Sequence, residues 1–418
     1  MDLQNKFIQS AKEIFQHNLL KGHSDYLGID YEFISPDSVE YTFQWLWDTS
    51  FHAIVLSHFD IEWAKREIRS MFTMQHTDGF LPHVIFWGNQ RVLPQWCYFE
   101  SRFSFRPQAT AITQPPVLAL AVEEIYKKDK DTKFLKEILP KLSKFHKWLL
   151  QNRDPDNDHL ISIISANESG MDELPVFQPV IGYHGKNAMR LHYYYRKVDF
   201  LNNRNKYDYK KILEKDYFNV EELLFNCIFI EACRSLSRMF NIIKNTKESQ
   251  LFKLIAENAE KSLLEKCWDK KDKIFYSLYS KDEKMAKVMS IASLMPLFLE
   301  GIDGEKLDEL VKHLLNPKEF WTEYPIPSVA KCERHYLATD TKRYQGKLLW
   351  RGPTWINTNW FIVKGLQKHG YNEYADFIIK QSAKMIEKSG FREFYNPETG
   401  AGYRREKFGW STLIVDML

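Results

Sequence analysis

Helical periodicity is the feature that most constrains the fold of this 418-residue chain. Apolar residues recur at intervals of three and four through most of the sequence, as in amphipathic helices. Residues 4–20 show the pattern clearly, because their apolar side chains share one helical face. Strand-like alternation is confined to short pieces such as residues 273–277. We therefore expect an all-α protein.

The predicted helices come in pairs. They cover residues 4–20, 39–59, 61–74, 115–128, 133–152, 223–240, 250–267, 285–299, 304–315, 355–369, 373–388 and 410–417. Residues 223–240 are apolar nearly all round, which predicts an inner, buried helix. Long connections at 77–106, 153–186 and 317–353 are rich in aromatic residues, so we expect them to converge on one concave face.

Paired helices with long loops predict an (α/α)6 toroid, a barrel of six inner helices ringed by six outer ones. The loops would then form the active-site face. Two helical domains, or a solenoid of helical pairs, are the alternatives. No linker or composition break divides the sequence, so we expect residues 1–418 to form one domain.

Composition excludes several classes of function. The formal net charge of +3 is too small to indicate nucleic-acid binding, and the lysines are scattered. No run of 18 apolar residues is present, so we expect no membrane partner. The N-terminal residues lack the apolar core of a signal peptide, and the five cysteines form no CxxC pair. Both features favour a cytoplasmic protein. The oligomeric state is left open, a homo-oligomer included.

Cofactor motifs are also missing from the sequence. His76 and His83 lack the spacing of metal ligands, and Gly400-Ala401-Gly402 follows no predicted strand and lacks a third glycine. No phosphate-binding loop is present either. We expect neither a metal nor an organic cofactor.

An acidic loop and a distant glutamate carry the main chemical signal. The loop spans residues 167–175 and brings Glu168 close to Asp172, with Gly170 between them to allow tight backbone geometry. Far along the chain, Glu393 lies between aromatic residues. Two carboxylates presented by separate loops among aromatic side chains are what glycoside hydrolysis requires. Taken alone, the acidic loop also fits a solvated turn or a helix cap.

Three further stretches favour sugar binding. In the first, the ring of Trp47 can stack on a pyranose and Asp48 can accept two sugar hydroxyls, although core packing and helix capping are the alternative. Gln114, just before a predicted helix, is either a donor to a sugar oxygen or a structural amide. Arg351 lies between a tryptophan and a Gly-Pro turn, where its guanidinium either tunes a carboxylate or binds an anionic aglycone.

Seven motifs together resemble glycoside hydrolase family 63 and its small bacterial and archaeal relatives, the mannosylglycerate and glucosylglycerate hydrolases. Any one motif is weak, but all seven occur in the family's order. The motifs are Trp47-Asp48-Thr49, Gly79-Phe80-Leu81-Pro82, Gln114-Pro115-Pro116, Glu168-Ser169-Gly170-Met171-Asp172, Trp268-Asp269, Trp350-Arg351-Gly352-Pro353 and Glu393-Phe394-Tyr395-Asn396-Pro397-Glu398-Thr399-Gly400.

The resemblance implies the same toroid and an inverting α-glycosidase without a cofactor. Its substrate would be a short α-glucoside or α-mannoside, such as mannosylglycerate or glucosylglycerate. By the resemblance, Asp172 is the general acid and Glu393 the general base. The expected substrate-binding residues are Trp47, Asp48, Gln114, Glu168, Gly170, Trp350, Arg351, Trp355, Tyr395 and Trp410.

Two departures from the family pattern flank the general-acid motif. Residues 165–167 read Ser-Ala-Asn where the family often has Pro-Trp, and residues 173–177 read Glu-Leu-Pro-Val-Phe where relatives often carry Asn and Trp. Both bear on the choice of sugar or aglycone. The alternatives that remain are a trehalase-like hydrolase, a sugar epimerase that uses paired histidines, and a non-catalytic sugar-binding toroid.

Overall fold

The structure, a computed structural model, describes residues 3–25, 27–88, 98–101, 108–185, 187–338 and 349–418. Helices make up most of these residues. In chain order they are α1 (Leu3–Asn18), α2 (Leu46–Leu56), α3 (Ile61–Phe72), α4 (Tyr98–Ser101), α5 (Leu118–Asp129), α6 (Thr132–Arg153), α7 (Ala188–Arg204), α8 (Tyr209–Lys215), α9 (Leu223–Ile242), α10 (Thr246–Lys266), α11 (Ile291–Leu294), α12 (Gly304–Leu314), α13 (Ile356–Lys368), α14 (Asn372–Ser389) and α15 (Ile414–Met417). Short 3-10 helices include Ala166–Ser169, Pro175–Phe177, Met295–Phe298 and Gly409–Leu413.

The helical segments alternate along the chain between an outer and an inner ring. The inner segments are α2, α5, α9, residues 291–298, α13 and residues 409–417, and the outer ones are α1, α3, α6, α10, α12 and α14. Each inner segment packs against the next, and residues 409–413 pack against α2, which closes the ring. This is the predicted (α/α)6 toroid, and the expected inner helix at 223–240 is α9.

Burial follows the two rings because inner helices are covered on every side. Every residue of α2 is buried, whereas α12 buries only Leu310, Val311 and Leu314. Side-chain caps fix the starts of several helices: the Asp131 carboxylate accepts the N–H of Lys133 at 2.9 Å at the start of α6. The large hydrophobic cluster joins residues from Phe7 to Met417.

Short strands lie in the connections between helices. They are β1 (Leu19–Ser24), β2 (Ile29–Ile34), β3 (Gln44–Trp45), β4 (Val84–Ile85), β5 (Ser162–Ile163), β6 (Val220–Glu221), β7 (Trp268–Asp269), β8 (Ile274–Phe275), β9 (Leu278–Tyr279), β10 (Lys284–Met285), β11 (Arg392–Tyr395) and β12 (Gly402–Glu406). Strands β5, β6, β9 and β10 form a four-stranded antiparallel sheet in the order β10-β9-β6-β5, and the others pair as β1-β2, β3-β4, β7-β8 and β11-β12.

Two predicted helix starts were wrong, and two helices were missed. The helix expected at 39–59 begins at Leu46, because residues 44–45 pair with β4 instead. The helix expected at 285–299 is helical only from Ile291, after Lys284–Met285 has paired with β9. Helices α7 and α8 were not predicted at all. Among the helices described, none combines the length and the apolar surface that spanning a bilayer requires.

Candidate active site

The N-terminal ends of inner helices and the loops beside them enclose a cavity of about 430 Å³. Asp48 comes from the first turn of α2, and Gln114 lies just before α5. Asp172 follows the 3-10 turn at 166–169, and Glu393 lies on β11. The structure therefore brings the two predicted catalytic carboxyls to the same cavity.

Asp172 is partly buried at the cavity wall. Burial raises the pKa of its carboxyl to about 7, and the neighbouring carboxylate of Glu173 adds to the rise. Glu173 is itself held in place: one oxygen contacts His192 Nε2 at 2.7 Å, and the other accepts the backbone N–H of Leu349. Asp172 is therefore a carboxyl that holds a proton close to neutral pH.

Glu393 has a different set of partners. The Tyr41 hydroxyl donates to its Oε1 at 3.1 Å, and Arg404 Nε lies 3.5 Å from its Oε2. Burial raises the pKa of this carboxyl to about 7, while Arg404 and Tyr41 oppose the rise. The indole N–H of Trp410 donates to the Glu393 backbone oxygen at 3.1 Å and fixes the strand.

One wall of the cavity is formed by four tryptophans, namely Trp47, Trp350, Trp355 and Trp410. The rings of Trp350 and Trp355 are stacked, with centroids 3.8 Å apart and planes 7° from parallel. Trp410 meets Trp355 edge-on at 5.6 Å and Trp47 at 5.7 Å. All four line the cavity, as expected of residues that bind a sugar.

Gly170 packs directly against this wall. A Cβ at this position would lie 2.5 Å from the Trp47 ring, and the backbone φ of +72° lies in the left-handed region. Glycine therefore allows the acidic loop to approach Trp47 closely enough to place Asp172 in the cavity.

Asp48 and Gln114 line the cavity at the start of the inner helices. The Asp48 side chain is buried, which raises the pKa of its carboxyl, and its Oδ1 has no hydrogen-bond partner within the described chain. Gln114 Oε1 accepts the backbone N–H of Trp47 at 3.3 Å, so its amide orientation is tied to α2. A carboxylate and an oriented amide suit sugar hydroxyls.

Three of the predicted ligands do not line the cavity. Glu168 is fully buried behind the wall and forms paired hydrogen bonds with Arg153 at 2.7 and 2.8 Å. It also accepts the backbone N–H of Thr113 at 3.0 Å, which ties the acidic loop to the segment carrying Gln114. Glu168 was expected to bind the substrate, but its side chain lies outside the cavity lining and supports the acidic loop.

Arg351 and Tyr395 are also behind the wall. Arg351 Nη1 donates to the amide oxygen of Gln178 at 3.1 Å. The Tyr395 hydroxyl donates to the Gly390 carbonyl at 2.8 Å and braces the start of β11. Direct substrate contact is not supported for either residue.

Sequence reasoning missed several residues that line the cavity. Tyr41 and Arg404 contact Glu393 but lie outside the recognised motifs. On α7, four polar residues at helical spacing face the cavity, namely His192, Tyr195, Arg196 and Asp199. The spacing of this polar face was the available signal.

A model of the mannosylglycerate hydrolase MGH1-like glycoside hydrolase domain matches residues 41–411. The chain belongs to this family. The chain is 29% identical to the mannosylglycerate hydrolase of Thermus thermophilus, over 92% of this chain and 95% of the relative. It is 24% identical to the glucosylglycerate hydrolase of Mycolicibacterium hassiacum, over 90% of this chain and 91% of the relative.

A solved structure gives the same result. The family 63 mannosylglycerate hydrolase from Thermus thermophilus, crystallised with Tris and D-glycerate, has a TM-score of 0.84 and 28% identity. The match covers 98% of this chain and 99% of that chain. The predicted family, fold and enzyme class are confirmed: the protein is a glycoside hydrolase.

Proposed function

We propose that this hydrolase cleaves the α-glycosidic bond of mannosylglycerate or glucosylglycerate with inversion at the anomeric carbon. One observation carries the proposal: Asp172 and Glu393, from distant segments of the chain, line one cavity together with a wall of tryptophans. Inverting hydrolysis requires one protonated and one ionised carboxyl on either side of the scissile bond.

The pKa of each carboxyl is about 7, so the pKa values alone do not assign the two roles. The contacts of the two carboxyls separate them. A phenolic O–H and a guanidinium both stabilise the ionised form of Glu393. The Glu173 carboxylate next to Asp172 instead favours the protonated form. Asp172 therefore donates a proton to the glycosidic oxygen, and Glu393 takes a proton from the attacking water.

Cationic side chains at the α7 side of the cavity suit an acidic aglycone. Arg196 and His192 both line it, and the hydrogen bond to Glu173 raises the pKa of His192. The carboxylate of glycerate would gain charge-assisted hydrogen bonds there. The names of the similar enzymes, mannosylglycerate and glucosylglycerate hydrolase, support the same substrate class. Asp48 and the tryptophan wall would hold the sugar.

The deciding experiment is a hydrolysis assay on a panel of α-glucosides and α-mannosides that includes mannosylglycerate, glucosylglycerate and trehalose. The anomer of the released sugar is read by NMR before mutarotation. We expect inverted sugar from a glycerate glycoside, with kcat reduced on the order of 10²–10⁴ by Glu393→Gln or Asp172→Asn. The control is Glu373→Gln on the exposed side of α14, which should not change kcat.

Three results would contradict the proposal in different ways. Retained configuration would overturn the roles of both carboxyls. Near-normal turnover by Asp172→Asn would remove that residue as the acid. Hydrolysis of trehalose alone would favour the trehalase-like alternative and reject glycerate as the aglycone.

A further inference from the structure

A second cavity, of about 560 Å³, lies where the loop after α6 meets the four-stranded sheet. It shares no lining residue with the catalytic cavity. Four carboxylates converge at this place: Asp156 and Asp158 from the loop, Glu221 from β6, and Glu283 from the turn between β9 and β10. Three separate segments therefore bring acidic side chains to one point.

The spacing of these carboxylates fits one cation. One oxygen from each of the four residues lies within 4.8 Å of the corresponding oxygen of every other residue. Two oxygens that bind the same calcium ion at about 2.4 Å are at most about 4.8 Å apart. The four oxygens therefore meet the spacing that ligands of one shared ion require.

Glu221 is the member of the cluster that most needs a partner. It is only 7% exposed and lines the cavity, and its Oε2 has no hydrogen-bond partner within the described residues. A buried, unpaired carboxylate is costly unless a proton or a cation neutralises it. Burial, together with Asp158 and Asp156, raises the pKa of Glu221 to about 9.

The ammonium of Lys266 neutralises part of the cluster. It lies 2.7 Å from Asp158 Oδ2 and 2.5 Å from Glu283 Oε1, with Asp156 Oδ2 at 3.6 Å. No ion pair joins it to Glu221 within the part of the chain that is described. Lys266 therefore leaves Glu221, the most buried of the four, without a cation among the described residues, so the cluster can accept a further one.

We propose that Asp156, Asp158, Glu221 and Glu283 bind one calcium ion. All four ligands are carboxylate oxygens, and the cluster contains no histidine or cysteine, so a hard cation is favoured over zinc or copper. Calcium is favoured over magnesium because side chains from three segments provide an irregular set of oxygens, which calcium tolerates better. The expectation of no metal considered only the histidine spacing, and the acidic cluster forms only in the folded chain.

The ion would connect the loop after α6 to the sheet that supports the active site. That loop continues through β5 into the turn at 166–169 and then to Asp172. Glu221 on β6 directly precedes α9, an inner helix. Calcium at this cluster would therefore stabilise the folded position of the acidic loop without touching the substrate.

The test uses the full chain after removal of metals with a chelator. Calcium and magnesium are titrated separately by calorimetry, and the thermal midpoint is followed at increasing calcium concentration. We expect one calcium site and a midpoint that rises with the logarithm of free calcium above the dissociation constant. Glu221→Gln and Asp156→Asn should each weaken calcium binding at least tenfold and flatten this rise. The matched control is Glu265→Gln on the exposed side of α10. It should bind calcium as tightly as the wild type and show the same rise of the thermal midpoint.

A Lys266→Met variant separates calcium from the ammonium as the cation of the cluster. If calcium binds, removal of the competing ammonium tightens calcium binding. The proposal would be overturned if the wild-type protein showed no heat of calcium binding and no shift of its thermal midpoint with calcium. It would also be overturned if both Glu221→Gln and Asp156→Asn kept the full wild-type shift of the midpoint. Tighter binding of magnesium would overturn the choice of calcium. None of these readouts depends on substrate turnover, so the proposed function is tested separately.

Discussion

The two candidate catalytic carboxyls show how neighbouring residues divide the roles of similar groups. Burial raises the pKa of both Asp172 and Glu393 to about 7, so burial alone does not assign them. Tyr41 donates a hydrogen bond to Glu393, whereas Glu173 places a like charge beside Asp172. The partner of each carboxyl, more than its depth, decides which one keeps the proton.

A Tyr41→Phe substitution tests this division. Loss of the phenolic O–H removes a donor that stabilises the ionised form of Glu393, so the pKa of Glu393 should rise by about one unit. In a profile of kcat/KM against pH, the acidic limb moves to higher pH and the alkaline limb, set by Asp172, stays in place. The control is Tyr371→Phe, which removes a similar hydrogen bond to Asp308 far from the cavity. Equal movement of both limbs would contradict the assignment.

At the scale of secondary structure, α7 supplies four polar residues of the candidate active site. Its residues His192, Tyr195, Arg196 and Asp199 face the cavity, while Met189 and Tyr193 are exposed on its outer side. Polar residues of α7 therefore line the cavity, whereas its apolar residues are divided between buried positions, such as Leu191 and Val198, and exposed ones. A helix whose apolar residues are not confined to one face is hard to recognise from periodicity.

An Arg196→Met substitution tests whether α7 binds the acidic end of the substrate. The variant loses the guanidinium but keeps most of the side-chain volume, so we expect KM for a glycerate glycoside to rise about tenfold or more. Hydrolysis of a glycoside with an uncharged aglycone should change little. Arg190→Met, on the exposed side of the same helix, is the matched control. An equal loss for charged and uncharged substrates would show that Arg196 acts on the fold instead.

Sequence motifs located the two catalytic candidates and the tryptophan wall, but not the residues that support them. Periodicity reports which face of a helix is apolar, and it carries no information about which distant segments meet. The contact of Arg404 with Glu393 depends on how β11 pairs with β12, and the contact of Tyr41 depends on closure of the ring. The prediction that the chain forms one domain stays a prediction, and the sequence leaves the oligomeric state undecided.

At the scale of the whole molecule, closure of the inner ring depends on the segment 409–417. Asp416 in this segment contacts His58 Nε2 at 2.7 Å, just after α2, and Lys364 Nζ at 2.9 Å on α13. Trp360 Nε1 donates to the same carboxylate at 2.8 Å. One buried carboxylate therefore joins the last inner segment to both of its neighbours in the ring.

An Asp416→Asn substitution should weaken this closure. Burial alone would raise the pKa of Asp416, but His58 and Lys364 lower it to about 2. The folded-state pKa thus lies below the unfolded one, so the stabilisation is present above about pH 4 and lost as the pH falls towards 2. We expect the variant to lose roughly 3–5 kcal/mol of unfolding free energy at pH 7. Urea unfolding at several pH values measures it. A difference from wild type that does not shrink in acid would contradict this account.

Ring closure also has a consequence for synthesis of the protein. The catalytic cavity combines Tyr41 and Asp48, made early, with Glu393 and Trp410, made late. Segments this distant in sequence meet only after most of the chain has been ordered, which is a slow step in folding. A nascent chain on the ribosome can therefore contain the whole acidic loop before the cavity is complete. The cavity closes only when the residues near Trp410 have left the exit tunnel and joined α2.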